Sequence, residues 1–186
     1  SKLDIASSAY TLNLIDTPGH IDFAYEVSRA LKAVEGAVLL VDATQGVQAQ
    51  TLSTLSLAQE AGLAILPVVN KIDLPVARVE ETVNELTELL KCPRSAVLKV
   101  SGKTGQGVSV LLDAIVSSVP PPATDRSDLQ ALVFDFEYST HQGIILFIRV
   151  LGGKIARGDR VRLSALGMEF AALEVGTFSP SRVPRE

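Results

Sequence analysis

The chain has 186 residues, of which 47% are hydrophobic and 20% charged, and its formal net charge is −4. This composition favours a packed globular core of one domain or a domain and a half, and it excludes wholesale disorder. The charges are spread along the chain, so no basic patch predicts DNA binding. The single cysteine, Cys92, excludes an internal disulfide. No apolar run reaches the roughly 20 residues that span a membrane.

The first two thirds of the chain alternate short apolar runs with stripes at helical spacing, the pattern of βα units around a parallel sheet. The runs are nearly continuous, which indicates strands buried on both faces, and the stripes are predicted to face the core. Strands are predicted at residues 10–15 (with 3–5 as antiparallel partner across a turn at 6–9), 36–41, 64–69 and 97–100, and helices at 23–34, 48–61, 79–90 and 108–115.

The pattern changes after a polar, proline-rich stretch at residues 119–128, which is predicted to be a linker. Short strands are expected at 129–138, 143–150 and 160–163, separated by glycine turns, and residues 180–186 are expected to form no element. Short strands with glycine turns indicate the start of a small antiparallel β-barrel. The expected organisation is therefore an α/β domain at 1–118, a linker at 119–128 and a partial barrel at 129–186.

The first candidate site is Asp16-Thr17-Pro18-Gly19-His20, which follows the first predicted strand. Ligands of open α/β sheets bind beyond the carboxyl ends of strands. A carboxylate there can hold Mg²⁺ through water, and glycine lets the backbone approach a phosphate. The following histidine has the chemistry to orient an attacking water. The alternative is a plain type I turn.

The second candidate site is Asn70-Lys71-Ile72-Asp73, directly after the strand predicted at 64–69. The carboxylate of Asp73 can accept hydrogen bonds from both the N1–H and the exocyclic amine of guanine. Adenine lacks this donor pair, so the same carboxylate would discriminate against it. Asn70 can bridge neighbouring loops, and the stem of Lys71 can pack along the base.

The third candidate site is Ser101-Gly102-Lys103, which follows the strand predicted at 97–100. Its backbone N–H groups can donate to the guanine O6. Three such motifs at the ends of three successive predicted strands favour one nucleotide site over a structural α/β domain with accidental motifs.

These residues carry a family resemblance. DTPGH, NKID and SGK resemble three sequence elements of the GTPase superfamily, and the histidine resembles the translational branch. The closest resemblance is to the elongation factor 4 (LepA) family. It is carried by four segments, NLIDTPGHIDF (13–23), YEVSRAL (25–31), VDATQGVQAQTL (41–52) and NKIDLP (70–75), and it continues through 119–122 and 143–180. Elongation factor G and BipA, which share DTPGH, stay as alternatives, as does a non-catalytic ribosome-binding module.

The resemblance implies a P-loop GTPase-type fold that binds GTP or GDP with Mg²⁺ and acts on the ribosome. It implies that Asp16 coordinates Mg²⁺ through water, that Gly19 contacts the γ-phosphate and that His20 positions the hydrolytic water. It implies a cytoplasmic bacterial protein or an organellar homologue, with peripheral membrane association described for the family. The implied nucleotide-binding residues are Asp16, Thr17, Pro18, Gly19, His20, Asn70, Lys71, Asp73, Ser101, Gly102 and Lys103.

One element of the superfamily is missing from these 186 residues, the phosphate loop GxxxxGK[ST]. Gly102-Lys103-Thr104 fits its end only, because Val97 stands where the first glycine is needed. The resemblance therefore implies that the first strand, the phosphate loop, the first helix and the switch threonine precede residue 1. A fragment of this kind is expected to expose apolar sheet surface and to hydrolyse GTP negligibly by itself.

Overall fold

The computed structural model describes residues 2–5, 8–17, 24–122, 127–179 and 181–185. After one antiparallel pair of strands, helices and parallel strands occupy the first part of the chain, and antiparallel strands occupy the second. The elements are β1 (Lys2–Ile5), β2 (Ser8–Thr11), α1 (Ala24–Leu31), β3 (Gly36–Asp42), α2 (Ala49–Glu60), β4 (Ala64–Asn70), α3 (Val79–Leu90), a 3₁₀ turn (Arg94–Ala96), β5 (Leu98–Lys99), α4 (Val108–Ser118), β6 (Gln130–Ser139), β7 (Gly143–Gly152), β8 (Arg160–Leu163), β9 (Met168–Ala171), β10 (Val175–Ser179) and β11 (Ser181–Arg185).

A three-stranded parallel sheet of order β3-β4-β5 organises the first part. β3 pairs with β4 from Gly36↔Ala64 to Asp42↔Asn70, and β5 adds a short ladder at Val68↔Leu98. The apolar runs predicted as strands are confirmed, although the third pairs over two residues only. All three strands point the same way, so their carboxyl ends meet at one edge.

The main core lies between this sheet and α3. The stripe predicted on α3 is confirmed, since Val83 and Leu86 are fully buried against Leu39, Val41 and Val69 of the sheet. These contacts supply the apolar burial that stabilises the sheet, at about 25 cal/mol per Å². A smaller cluster joins α1 and α2, with Val27 and Leu31 of α1 against Ala58 of α2.

The opposite face of β3 is uncovered among the described residues. Val38 is 37% exposed and Leu40 is 54% exposed, and β3 is an edge strand of its sheet. The expectation of exposed apolar sheet surface is therefore confirmed. The predicted core stripe of α4 is only half-buried, with no buried residue on that helix, because the sheet surface it faces is open.

The strand predicted at residues 10–15 is wrong at residues 12–15. β1 and β2 pair antiparallel, and the ladder ends at Lys2↔Thr11. Residues 12–17 are irregular, and Leu14 is 76% exposed. The described residues after Thr11 have no strand assigned beside them in the β1–β2 sheet. Of the turn predicted at 6–9, residues 8 and 9 belong to β2, and 6 and 7 lie outside the described residues.

The second part consists of three antiparallel hairpins, β6-β7, β8-β9 and β10-β11, each an open two-stranded sheet. β6, β7 and β8 lie where strands were predicted, whereas β9 and β10 were not predicted, and the described strands do not close into a barrel. The expectation that residues 180–186 form no element is wrong, because β11 pairs with β10 from Val175↔Arg185 to Ser179↔Ser181. Pro184 argued against a strand in the sequence, because proline has no backbone N–H to donate. An edge strand tolerates proline, since the backbone on its outer side pairs with no neighbouring strand.

Two ion pairs join α1 and the turn that follows it to the β6-β7 hairpin. Arg29 of α1 contacts Asp135 of β6 at 3.3 Å, and its guanidinium also lies 4.9 Å from the ring centroid of Tyr25. Glu35, before β3, pairs with Arg149 of β7. The helix that follows the Asp16-Thr17-Pro18-Gly19-His20 motif is thus attached to the antiparallel part of the chain.

Candidate functional site

Three polar segments meet at the carboxyl edge of the parallel sheet. Asp42 ends β3 and stands opposite Asn70, which ends β4. Ser101 follows β5 and is fully buried. The structure therefore brings segments 70–73 and 101–103 together, as their position after successive strands predicted. This edge is where ligands of open α/β sheets bind.

A hydrogen bond between Ser101 and Asp73 connects the two segments. The Ser101 hydroxyl donates to Oδ1 of Asp73 at 2.6 Å and accepts from the backbone N–H of Thr104 at 3.1 Å. The Ser101 hydrogen bond lowers the pKa of Asp73 below its ordinary 3.8, and the charge of Lys103 adds to that direction. Asp73 is therefore an ionised acceptor at neutral pH, held in place from the side of the sheet.

Replacing Ser101 should loosen both partners. Ser101→Ala removes the donor to Asp73 and leaves the N–H of Thr104 without its acceptor. We expect the free energy of unfolding to fall by about 1–3 kcal/mol, the cost of an unmet buried hydrogen bond. Urea denaturation followed by circular dichroism measures it, with Ser109→Ala on the exposed side of α4 as the matched control. Equal stabilities of the two variants would contradict this role of Ser101.

Asn70 fixes the backbone of both segments. Its Oδ1 accepts from the N–H of Lys71 at 2.8 Å and from the N–H of Gly102 at 3.1 Å. Lys71 adopts a left-handed backbone conformation with φ of 63°, which costs a non-glycine residue about 1–2 kcal/mol. A methyl group at position 102 would lie 3.8 Å from the Asn70 Oδ1, so an alanine there would also fit.

Sequence reasoning missed one charged residue of this edge, Asp42. Its Oδ2 pairs with the ammonium of Lys71 at 2.6 Å, and its Oδ1 accepts from the N–H and hydroxyl of Thr44 at 2.8 and 2.7 Å. Burial acts to raise the pKa of Asp42, but the hydrogen bonds from Lys71 and Thr44 outweigh it and the pKa is lowered. The available signal was the position of Asp42 at the end of the run GAVLLVD, the same relation to a strand that NKID shows.

Of the first motif, the structure describes only Asp16 and Thr17. Asp16 is exposed, and with Thr17 it lines a cleft of about 340 Å³ together with Glu26, Arg29 and Asp135. Pro18, Gly19 and His20 lie outside the described residues. Within the described ranges, no group of three or more His, Cys, Asp or Glu side chains is placed to hold a metal ion. No helix in those ranges is both long and apolar enough to cross a membrane.

Asp73 and the residues that follow β5 form one polar surface at this edge. An ionised, half-buried carboxylate at Asp73 presents an acceptor at the rim of the sheet, beside the exposed backbone of Gly102 and Lys103. Lys71 lies next to it, with its side chain half-exposed. A ligand with two adjacent N–H donors and a nearby carbonyl oxygen matches this arrangement of acceptor and backbone donors.

Residues 1–121 match the family of elongation factor Tu GTP binding domains. Because this match spans well over half of the chain, the chain belongs to that family of GTP-binding domains. The resemblance to elongation factor 4 is also confirmed. The chain is 56% identical over 171 residues to elongation factor 4 of Rubrobacter xylanophilus, covering 92% of this chain and 28% of that protein. It is 50% identical over 186 residues to elongation factor 4 of Parabacteroides distasonis, covering 100% of this chain and 31% of that protein.

Solved structures support the same fold. A bacterial selenocysteine-specific elongation factor superposes with a TM-score of 0.75 at 22% identity, over 98% of this chain and 32% of that chain. A protein from Thermus thermophilus gives a TM-score of 0.72 at 18% identity, over 100% of this chain and 41% of that chain. The chain spans about a third of the length of its curated relatives, between 28% and 31% for the two elongation factor 4 proteins.

Proposed function

We propose that this chain forms the base-recognition part of a translational GTPase of the elongation factor 4 type. The observation that carries the proposal is the link between the two loops at the carboxyl edge of the sheet. Ser101 holds Asp73 at 2.6 Å, and Asn70 holds Gly102 at 3.1 Å. In a domain whose motifs arose by chance, hydrogen bonds that link these two loops would not be expected.

In this proposal, the site selects guanine by matching donors to acceptors. The Asp73 carboxylate accepts from the N1–H and the exocyclic amine, and the backbone of Ser101, Gly102 and Lys103 donates to O6. The methylene groups of Lys71 cover one face of the base. Adenine would leave the ionised carboxylate without its two donors, which is the physical basis of selectivity.

The phosphate side of the site is assigned from the family resemblance. Asp16 would hold Mg²⁺ through water, and its exposed position at the mouth of a cleft is compatible with a hydrated ion. Mg²⁺ would supply charge neutralisation for the phosphates. Thr17, Pro18 and Gly19 would lie along the γ-phosphate, and His20 would orient the attacking water.

The whole protein's activity follows as part of the proposal. It would hydrolyse GTP on the ribosome, in the cytoplasm or in an organelle, and the antiparallel strands would belong to a second domain beginning near residue 129. The proposed division into 1–118, 119–128 and 129–186 follows the change from helices and parallel strands to hairpins.

Nucleotide binding tests the proposal. A suitable protein is a chimera in which this chain replaces the matching segment of the Rubrobacter xylanophilus elongation factor 4, to which it is 56% identical. Titration with fluorescent GDP should show binding that GTP and GDP displace and ATP does not. Parallel titration of the chain alone shows whether the base pocket assembles from these residues. Displacement by ATP as effective as by GTP would refute guanine recognition.

The rate of GTP hydrolysis should differ between the chimera and the chain alone. We expect negligible GTP turnover by the 186 residues alone, because they contain no GxxxxGK[ST] loop to hold the phosphates. Phosphate release with purified ribosomes measures it, and the chimera should be active under the same conditions. Turnover by the chain alone that disappears in His20→Ala would contradict this expectation.

A further inference from the structure

We propose that Asp42 is a positioning residue for the base pocket, and that it acts by holding the ammonium group of Lys71. The inference rests on the proposed function, because it assigns Lys71 to the face of the guanine base. It adds a residue at the end of β3 that neither the NKID nor the SGK motif contains.

The geometry places Asp42 where it can set the direction of the Lys71 side chain. Its two oxygens have separate partners, with Oδ2 at 2.6 Å from the Lys71 ammonium and Oδ1 bound by Thr44. Lys71 itself is twisted into the left-handed region, with φ of 63°. A long side chain on such a backbone has many rotamers, and fixing its end removes most of them before a ligand arrives.

The carboxylate is held by a rigid loop. The backbone carbonyl of Asp42 accepts from the N–H groups of Gln45 and Gly46 at 3.0 and 2.9 Å. Further along, Arg78 donates its backbone N–H to the carbonyl of Ala43 at 2.7 Å. Glu85 of α3 accepts from the N–H of Val47 at 2.7 Å. The loop that follows β3 is therefore attached to the core helix. These contacts fix the position of Asp42, to which the ammonium of Lys71 binds.

The exposed fractions of the two side chains indicate that Asp42 holds Lys71 rather than the reverse. The Asp42 side chain is 20% exposed and the Lys71 side chain is 51% exposed. The less exposed group is the one with additional hydrogen bonds, so Asp42 is the anchor and Lys71 the held partner. Charge pairing also offsets the Asp42 charge, which would otherwise repel the phosphates of a nucleotide bound at this edge.

A double-mutant cycle in the chimera tests the inference, with the dissociation constant for fluorescent GDP as the readout. Asp42→Asn keeps an oxygen for Thr44 but turns an amide toward the ammonium. We expect it to weaken GDP binding about three- to fivefold, the size typical of partly exposed ion pairs. In a Lys71→Met background the same substitution should change the affinity little, because the ammonium is already gone. Asp113→Asn removes a carboxylate at an exposed position of α4 outside the pocket, and it should bind GDP like the unmutated chimera.

Two results would overturn the role of Asp42: unchanged affinity in Asp42→Asn, or an equal loss in the Lys71→Met background. Circular dichroism checks folding. If Asp42→Asn does not fold, Lys71→Arg, which keeps the ion pair, is compared with Lys71→Met, and equal losses in the two would overturn the inference. If the unmutated chimera shows no guanine selectivity, the proposed function fails instead.

Discussion

Asp73→Asn should reduce the affinity of the chimera for GDP by at least a hundredfold. The substitution replaces a carboxylate that accepts two hydrogen bonds with an amide that accepts at one end and donates at the other. Each hydrogen bond to a charged group contributes about 1.5–3 kcal/mol. The amide loses the bond to the exocyclic amine, sets its own N–H against that amine and makes the remaining bond a neutral one, so the change costs about 3 kcal/mol. Asparagine has nearly the same shape and keeps an acceptor for Ser101, which now donates at 2.6 Å. The fold should therefore survive.

Asp73→Asn should also gain affinity for a xanthine nucleotide, which a site that is only damaged would not do. Xanthine carries a carbonyl where guanine carries the exocyclic amine, so the amide nitrogen introduced by Asp73→Asn has an acceptor, and the amide oxygen can still accept from N1–H. Competition of xanthosine diphosphate against GDP should therefore shift toward the xanthine nucleotide. Asp113→Asn, at an exposed position of α4, is the matched control and should bind GDP normally. Guanine selectivity that persists in Asp73→Asn would remove Asp73 from the base pocket.

The meeting of the two loops at the carboxyl edge of the sheet could be predicted from sequence because its parts are local. A nearly continuous apolar run predicts a buried strand, and a polar motif after it falls at the carboxyl edge of a parallel sheet. Two such strands, β4 and β5, were sufficient to place segments 70–73 and 101–103 side by side. The order of the motifs along the chain therefore contained the arrangement in space.

Features that depend on pairing partners could not be predicted in this way. Residues 12–15 have the apolar pattern of a strand, yet the β1 ladder ends before them at Lys2. β11 contains Pro184 and forms because β10 pairs with it. The contact of Asp42 with Lys71 joins residues from two different strand ends, and no local pattern states which side chain will reach the other.

Gly107→Ala should be the most damaging single-methyl change near the site. Gly107 has φ of 74° directly before α4, and a Cβ there would collide with the carbonyl oxygen of Lys99 in β5. The left-handed conformation costs alanine about 1–2 kcal/mol, and forcing an overpacked contact adds about 1–3 kcal/mol. We expect the free energy of unfolding of the chain to fall by about 2–5 kcal/mol in urea denaturation.

Gly105→Ala separates the two contributions, because Gly105 has a similar φ of 81° but nothing within 4 Å of its added methyl group. Only Gly107→Ala should also weaken GDP binding to the chimera, since relief of the collision must move the 101–107 loop away from β5. That loop is closed by the Ser101 N–H bond to the carbonyl of Gln106 at 2.9 Å, so its movement displaces the partner of Asp73. If both variants lose stability and affinity equally, backbone conformation alone explains the glycines, and the close packing of Gly107 on β5 does not support the base pocket.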